Sequence, residues 1–173
     1  MMLQGGVRAK MRGLEIAGLK PALGTWLIVA IWTAIVLGLG SDSFSHSSTS
    51  RILLPLLQWL LPGAEPETLA LLLRWIRKTA HVVEYAVLGI LAYRALRLSV
   101  HLPTLGHLGI ATGLVLAVAA SDEGRQARSE LRSGRLADVG LDATGGLAGA
   151  AAGFSLGRLP RTRRWFPAAP RST

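Results

Sequence analysis

The sequence predicts an all-α integral membrane protein, a bundle of about four transmembrane helices with an interfacial or re-entrant segment after the first. The mean hydropathy of +0.41 is high for a water-soluble chain of this charge. The apolar residues also come in long runs, and most of the 19 Lys and Arg residues lie between those runs. A bilayer sorts side chains by depth in this way.

The first predicted span is residues 22–40, a run without any charged residue. Its length is close to the ~20 residues that a helix needs to cross ~30 Å of hydrocarbon. Basic residues before the run, and Gly38 and Gly40 at its end, also fit a cleaved signal peptide, but the run is longer than the apolar part of most such leaders. We therefore expect an uncleaved span preceded by a basic cytoplasmic segment, residues 1–21.

The next apolar run, residues 52–61, is too short to cross a membrane and is interrupted by Pro55 and Gln58. We expect it to lie at the membrane interface, a depth that suits Trp59. A re-entrant segment is the alternative.

The rest of the hydrophobic sequence predicts three more helices. A helical pattern begins at Pro66 and runs to Leu98, with its membrane part at residues 79–96. The remaining predicted spans are residues 105–120 and 139–156. Residues 22–157 then form one transmembrane domain, and residues 158–173 form a basic cytoplasmic tail.

Span four has a glycine at every fourth position, which places these residues on one helix face: Gly145, Gly149, Gly153 and Gly157. Small residues at this spacing let two helices approach closely. Gly109 and Gly113 predict a similar notch in span three. The alternative is that the bilayer merely tolerates lipid-facing glycines.

The charges predict the orientation of the chain. With four spans, one side holds eleven basic residues against Glu15, and the other side holds eight basic and nine acidic residues. An excess of Lys and Arg near span ends marks the cytoplasmic side, so both termini are expected in the cytoplasm.

Ionisable residues from two distant parts of the chain are predicted to meet at the outer end of the bundle. Three of them are catalytic candidates: His81, Glu84 and Asp122. The ligand-binding candidates are Lys78, Tyr85, Glu123, Gln126, Arg132, Asp138 and Asp142. A charge at membrane depth costs ~2.5–3.5 kcal/mol on insertion scales, so such residues are usually paired and functional. For Asp142 the expected partner is Lys78 or Arg132.

At these residues the sequence resembles the VanZ-like family of small bacterial multispanning membrane proteins. The similarity covers about Trp26 to Gly157. The matching pieces are Lys78-Thr79-Ala80-His81-Val82-Val83-Glu84-Tyr85-Ala86-Val87-Leu88-Gly89, Ser121-Asp122-Glu123 with Gln126, Arg132-Ser133-Gly134, Asp138-Val139 and Asp142-Ala143-Thr144-Gly145. The sequence departs from the family pattern in the outer loop, at Arg125, Arg128, Glu130-Leu131 and Arg135.

The resemblance implies a cell-envelope protein of the bacterial cytoplasmic (inner) membrane, in a family named for a glycopeptide-resistance accessory protein. It brings no established reaction. We expect an outer-face site that binds or processes an anionic lipid-linked precursor such as a polyprenyl phosphate. Lys78 and Arg132 would hold phosphate oxygens, and His81, oriented by Glu84 or Asp122, would transfer a proton in an enzymatic version.

The alternative is a non-enzymatic membrane factor or small transporter, in which the ionic cluster is a structural network or a proton relay. For Glu123 and Arg125 taken singly, the alternative is that they are solvated loop charges. The chain has no cysteine, which excludes disulfides and thiolate zinc sites. No cofactor or metal is predicted. The basic residues flank hydrophobic runs, so membrane lipids are expected as partners rather than nucleic acid.

Overall fold

The computed structural model describes residues 22–39, 46–126, 136–162 and 165. These residues form helices and short turns, which confirms the all-α prediction. The helices are α1 (Ala22–Leu39), α2 (His46–Leu60), α3 (Pro66–Ser99), α4 (Thr104–Gln126) and α5 (Leu136–Arg158). A single 3-10 turn, Pro160–Thr162, follows α5.

Two of the described helices, α1 and α4, are long and apolar enough to cross a membrane. They correspond to the first and third predicted spans. Gly40, the last residue of the first predicted span, lies outside the described residues.

Helix α4 is longer than the sequence predicted, because Ser121 to Gln126 continue the helix instead of beginning a loop. The Ser121 hydroxyl donates a hydrogen bond of 2.7 Å to the Ala117 carbonyl, so this polar residue is accommodated within the helix. Asp122 and Arg125 therefore lie one helical turn apart.

Helices α2 and α3 form a hairpin. Helix α2 has 15 residues with Pro55 inside it, which gives a length of about 22 Å, shorter than a membrane span. Gly63, with a φ of +93°, makes the turn, and Pro66 stands at the start of α3, where a missing N–H costs nothing. Helix α2 leaves Ile52 and Trp59 exposed.

Glycines bring α3 and α5 into backbone contact, the most extensive helix contact among α2 to α5. A Cβ on Gly145 would lie 2.7 Å from the Val82 carbonyl oxygen, and one on Gly149 would overlap the Ala86 carbonyl. The close packing predicted for the glycine face of span four is therefore confirmed.

The notch predicted in span three is wrong for the described part of the chain. A Cβ on Gly109 or Gly113 would meet nothing within 4 Å. Helix α4 instead contributes Val115, whose side chain fills the space that a Cβ on Gly146 would need.

Helix α1 packs against α3 in the opposite direction. Trp26 Nε1 donates to the Ser99 hydroxyl at 2.8 Å, and Trp32 Nε1 donates to the Glu84 carbonyl at 3.0 Å. The glycine contacts show that α3 and α5 run parallel to each other. A contact between the last turns of α1 and α4 shows that α1 and α4 also run parallel to each other, opposite to α3 and α5. Apolar side chains from α1, α3 and α4 fill the core between them.

Candidate functional site

The sequence-distant candidates on α3, α4 and α5 come together at one end of the packed helices, where α1 and α4 finish and α5 begins. We call this group the polar cluster: Lys78, His81, Glu84, Tyr85, Asp122, Glu123, Arg125 and Asp142. Asp122 and Asp142 are 1% and 2% exposed. Carboxylates so deeply buried require partners, because desolvation disfavours their charged form.

His81 is the partner of Asp142 that the structure places within ion-pair distance. The two atoms, His81 Nδ1 and Asp142 Oδ1, are 3.8 Å apart, and the pair is ionic when the imidazole is protonated. Sequence reasoning named Lys78 or Arg132 for this role. Gly145 lies one turn after Asp142, and its contact with Val82 brings α5 close enough to α3 for the pair to form.

Tyr85 lies beneath His81 on the next turn of α3. The two rings are stacked, with centroids 6.4 Å apart and an angle of 23° between their planes. Tyr85 is fully buried, and its hydroxyl has no hydrogen-bond partner among the described residues. An unsatisfied buried hydroxyl costs about 1–3 kcal/mol, so a polar group that bonds to it would stabilise the protein.

Arg125 joins the polar cluster to the end of α1. Its Nη2 donates to Asp122 Oδ1 at 2.6 Å and also to the Leu37 carbonyl. Leu37 is in the last turn of α1, where carbonyls have no partner within the helix. Arg125 therefore neutralises a buried carboxylate and caps a helix end with one guanidinium.

The alternative that Glu123 and Arg125 are solvated loop charges is wrong for Glu123, which is only 8% exposed. The Arg125 side chain is 48% exposed, so it is solvated, but it is helical and makes the contacts just described. Both residues are in the last turns of α4, which the sequence analysis assigned to a loop. Because most of these residues are polar, the hydrophobic pattern did not indicate that the helix continues to Gln126.

The remaining candidates have less defined positions. Lys78 and Glu84 are half-buried on α3, each with interactions inside the structure. Arg132 lies outside the described residues. Gln126 and Asp138 belong to α4 and α5, but their side chains lie outside the description.

The arrangement suits proton transfer or the binding of a polar group. An imidazole with a carboxylate on one side and a phenol hydroxyl beneath it can accept or donate a proton. Within the described residues, no group of three or more His, Asp or Glu side chains is placed to hold a metal ion. Arg125 and Trp32 are site residues that sequence reasoning missed.

Comparison with protein families gives one result that bears on this site. The family described as VanZ/LLP1 matches residues 24–156, a range that includes every member of the polar cluster. The resemblance deduced from the sequence motifs is thereby confirmed. Comparison with curated proteins and with solved structures gave no match.

Proposed function

The chain belongs to the VanZ/LLP1 family, and we propose that it is a multispanning protein of the bacterial cytoplasmic membrane whose polar cluster binds an anionic lipid-linked precursor of the cell envelope. One observation carries the proposal. The His81–Asp142 pair, with the unpartnered Tyr85 hydroxyl beneath it, is held at one end of the packed helices.

Three observations support the proposed topology. Helices α1 and α4 are apolar enough to span, and α1, α3, α4 and α5 alternate in direction, as four successive crossings require. The eleven basic residues at one side then favour cytoplasmic termini. In this orientation the polar cluster faces the outside of the cell, where lipid-linked precursors are used.

In this proposal each residue has a chemical role. Lys78 supplies a point charge to a phosphate oxygen, and Arg132 supplies a two-pronged contact. The Tyr85 hydroxyl donates a hydrogen bond to the ligand. If the ligand is processed, His81 moves the proton and Asp142 orients the imidazole.

The buried carboxylates do not exclude an anionic ligand. Asp122 is neutralised by Arg125, and Asp142 is neutralised by His81 when the imidazole is protonated. Glu84 and Glu123 also have partners within the structure. A phosphate at the mouth of the cluster therefore faces two carboxylates that have basic partners, Asp122 and Asp142.

A structural network is the second candidate function, and the Arg125 contacts favour it for one half of the cluster. Arg125 ties Asp122 of α4 to the last turn of α1. We assign this half a structural role and the half containing His81, Asp142 and Tyr85 a ligand-binding role. The described charges lie at one end of the helices, which disfavours a proton relay across the membrane.

The proposal is tested by ligand binding to the purified full-length protein. Native mass spectrometry would measure the affinity for a short-chain polyprenyl phosphate in wild type, Lys78→Gln and Arg74→Gln. Arg74 is exposed on α3 one turn before Lys78 and serves as the charge-matched control. We expect Lys78→Gln to weaken binding about tenfold, as loss of one charge-assisted contact does. Wild-type affinity in Lys78→Gln would contradict the proposal.

A cellular experiment tests the link to glycopeptides. Deletion of the gene is expected to change susceptibility to glycopeptide antibiotics, and the wild-type gene is expected to restore it. Restoration by the His81→Ala gene, at equal protein level, would show that the polar cluster is not needed for this effect.

A further inference from the structure

The end of the helices opposite the polar cluster has a different chemistry, with three arginines placed over aromatic rings. The guanidinium carbon of Arg158 lies 4.2 Å from the Phe154 ring centroid. Arg94 lies 5.7 Å from the Trp165 ring, and Arg97 lies 6.0 Å from the Tyr93 ring. Contacts of this kind fix the position of a guanidinium without neutralising its charge.

The rings beneath these arginines form one packed group. The Tyr93 ring meets His107 edge-on at 6.1 Å and Phe154 edge-on at 6.5 Å. Tyr93 is fully buried and His107 is 2% exposed. Side chains of α3, α4 and α5 thus build a packed base for the cations. We call the rings and the arginines together the arginine platform: Tyr93, Arg94, Arg97, His107, Phe154 and Arg158.

The acidic residues that the structure describes lie towards the other end of their helices. Glu84 is the nearest on α3, ten residues and therefore about 15 Å before Arg94. On α5 the last acidic residue is Asp142, sixteen residues and therefore about 24 Å before Arg158. The positive charge of the platform is therefore separated from the carboxylates of the described chain.

Buried nitrogens of the platform lack a described hydrogen-bond partner. His107 Nε2 lies 3.1 Å from the Val100 carbonyl and donates to it, which leaves the ring's Nδ1 buried without a hydrogen bond. Arg94 Nε is likewise buried without a described hydrogen-bond partner. Buried polar atoms without hydrogen bonds are rare in folded proteins, and here more than one belongs to a single cationic group.

We propose that the arginine platform is a second binding site, which takes the phosphate of an anionic phospholipid head group. Guanidiniums bind phosphate oxygens in a two-pronged geometry that lysine cannot reproduce. In the orientation given above the platform faces the cytoplasmic leaflet, whose anionic lipids attract basic residues near the surface. The platform is separate from the polar cluster, and binding there does not require the polyprenyl ligand.

The experiment titrates delipidated full-length protein in neutral detergent with phosphatidylglycerol or phosphatidylcholine, and native mass spectrometry measures bound lipid. Arg158 is exposed at the end of α5, so Arg158→Gln removes charge without disturbing buried packing. We expect Arg158→Gln to weaken phosphatidylglycerol binding about tenfold and the double variant with Arg97→Gln to weaken it further. Arg74→Gln, at an exposed arginine for which no ring contact is described, should bind within about twofold of wild type.

Three outcomes overturn the proposal: equal affinity of wild type for the two lipids, unchanged binding in Arg158→Gln and the double variant, or displacement of the lipid by inorganic phosphate alone at millimolar concentration. The last outcome would assign the site to a soluble phosphate. Binding of phosphatidylglycerol should survive in Lys78→Gln. That result separates failure at this site from failure at the polar cluster.

Discussion

His81 Nδ1 lies 3.8 Å from Asp142 Oδ1 across the contact between α3 and α5. The Asp142 side chain is 3% exposed and that of His81 is 24% exposed, so the pair connects the interior to the surface. Its geometry depends on Gly145, which lets α5 approach the backbone at Val82. The binding chemistry and the helix packing of this protein are therefore linked.

The first prediction is that His81 and Asp142 are energetically coupled. His81→Ala and Asp142→Asn should each destabilise the protein, and the double variant should lose less than the sum of the two. We expect a coupling energy of about 0.5–3 kcal/mol, the range for residues in one hydrogen-bond or salt-bridge network. Denaturant unfolding in detergent measures it. Additive losses would show that the pair contributes nothing beyond the separate side chains.

The second prediction concerns Arg125. Arg125→Gln removes a charge-assisted bond to buried Asp122 and the cap on α1, so the free energy of unfolding should fall by about 1–3 kcal/mol. Asp122→Asn in the same background should recover part of this loss, because it removes the unpaired charge. Polyprenyl phosphate affinity should remain close to wild type in this double variant, because neither the guanidinium nor the unpaired carboxylate remains. A large loss of affinity without loss of stability would place Arg125 in the ligand site instead.

The third prediction compares two glycines in helices. Gly149→Ala places a Cβ against the Ala86 carbonyl and should destabilise the protein by about 1–3 kcal/mol, as overpacking does. Gly113→Ala, where nothing lies within 4 Å among the described residues, should be neutral or stabilising by up to about 1 kcal/mol, because alanine favours helix. Melting temperature in detergent distinguishes the two. The same loss at both positions would remove the argument for glycine packing.

The fourth prediction concerns topology. Because the chain has no cysteine, single cysteines at Ser129 and Ser172 report the side of the membrane without interference. An impermeant thiol reagent added to intact cells should label Ser129→Cys and spare Ser172→Cys, since the charge asymmetry places the termini inside. Strong labelling of Ser172→Cys in intact cells would reverse the proposed orientation.

Most of the helices could be predicted from the sequence, because hydrophobic runs and helix punctuation are local signals. The Pro66 start of α3 was correct, and its end at Ser99 falls one residue beyond the predicted Leu98. The end of α4 was predicted too early, because most of Ser121 to Gln126 are polar, although the helix continues through them and buries Asp122 and Glu123. Polarity alone does not distinguish such a helix end from a loop.

The candidate site was predicted in composition but not in pairing. Helical spacing placed His81 and Tyr85 on one face of α3, and the predicted topology placed Asp142 at the same end of the helices. The ion pair of Asp142 with His81, however, depends on how closely the two helices approach. Spacing along one helix carries no information on that distance. The notch predicted at Gly113 failed for the same reason, since glycine spacing does not say which helix lies opposite.

The most direct test of the account is photocrosslinking of the purified protein with a polyprenyl phosphate that carries a diazirine next to the phosphate, followed by mass spectrometric mapping of the modified residues. Binding at the polar cluster predicts modification within residues 78–85 and near Asp142, reduced in Lys78→Gln and unchanged in Arg74→Gln. Modification confined to the arginine platform, or distributed equally over the apolar helix surfaces, would contradict the proposed function.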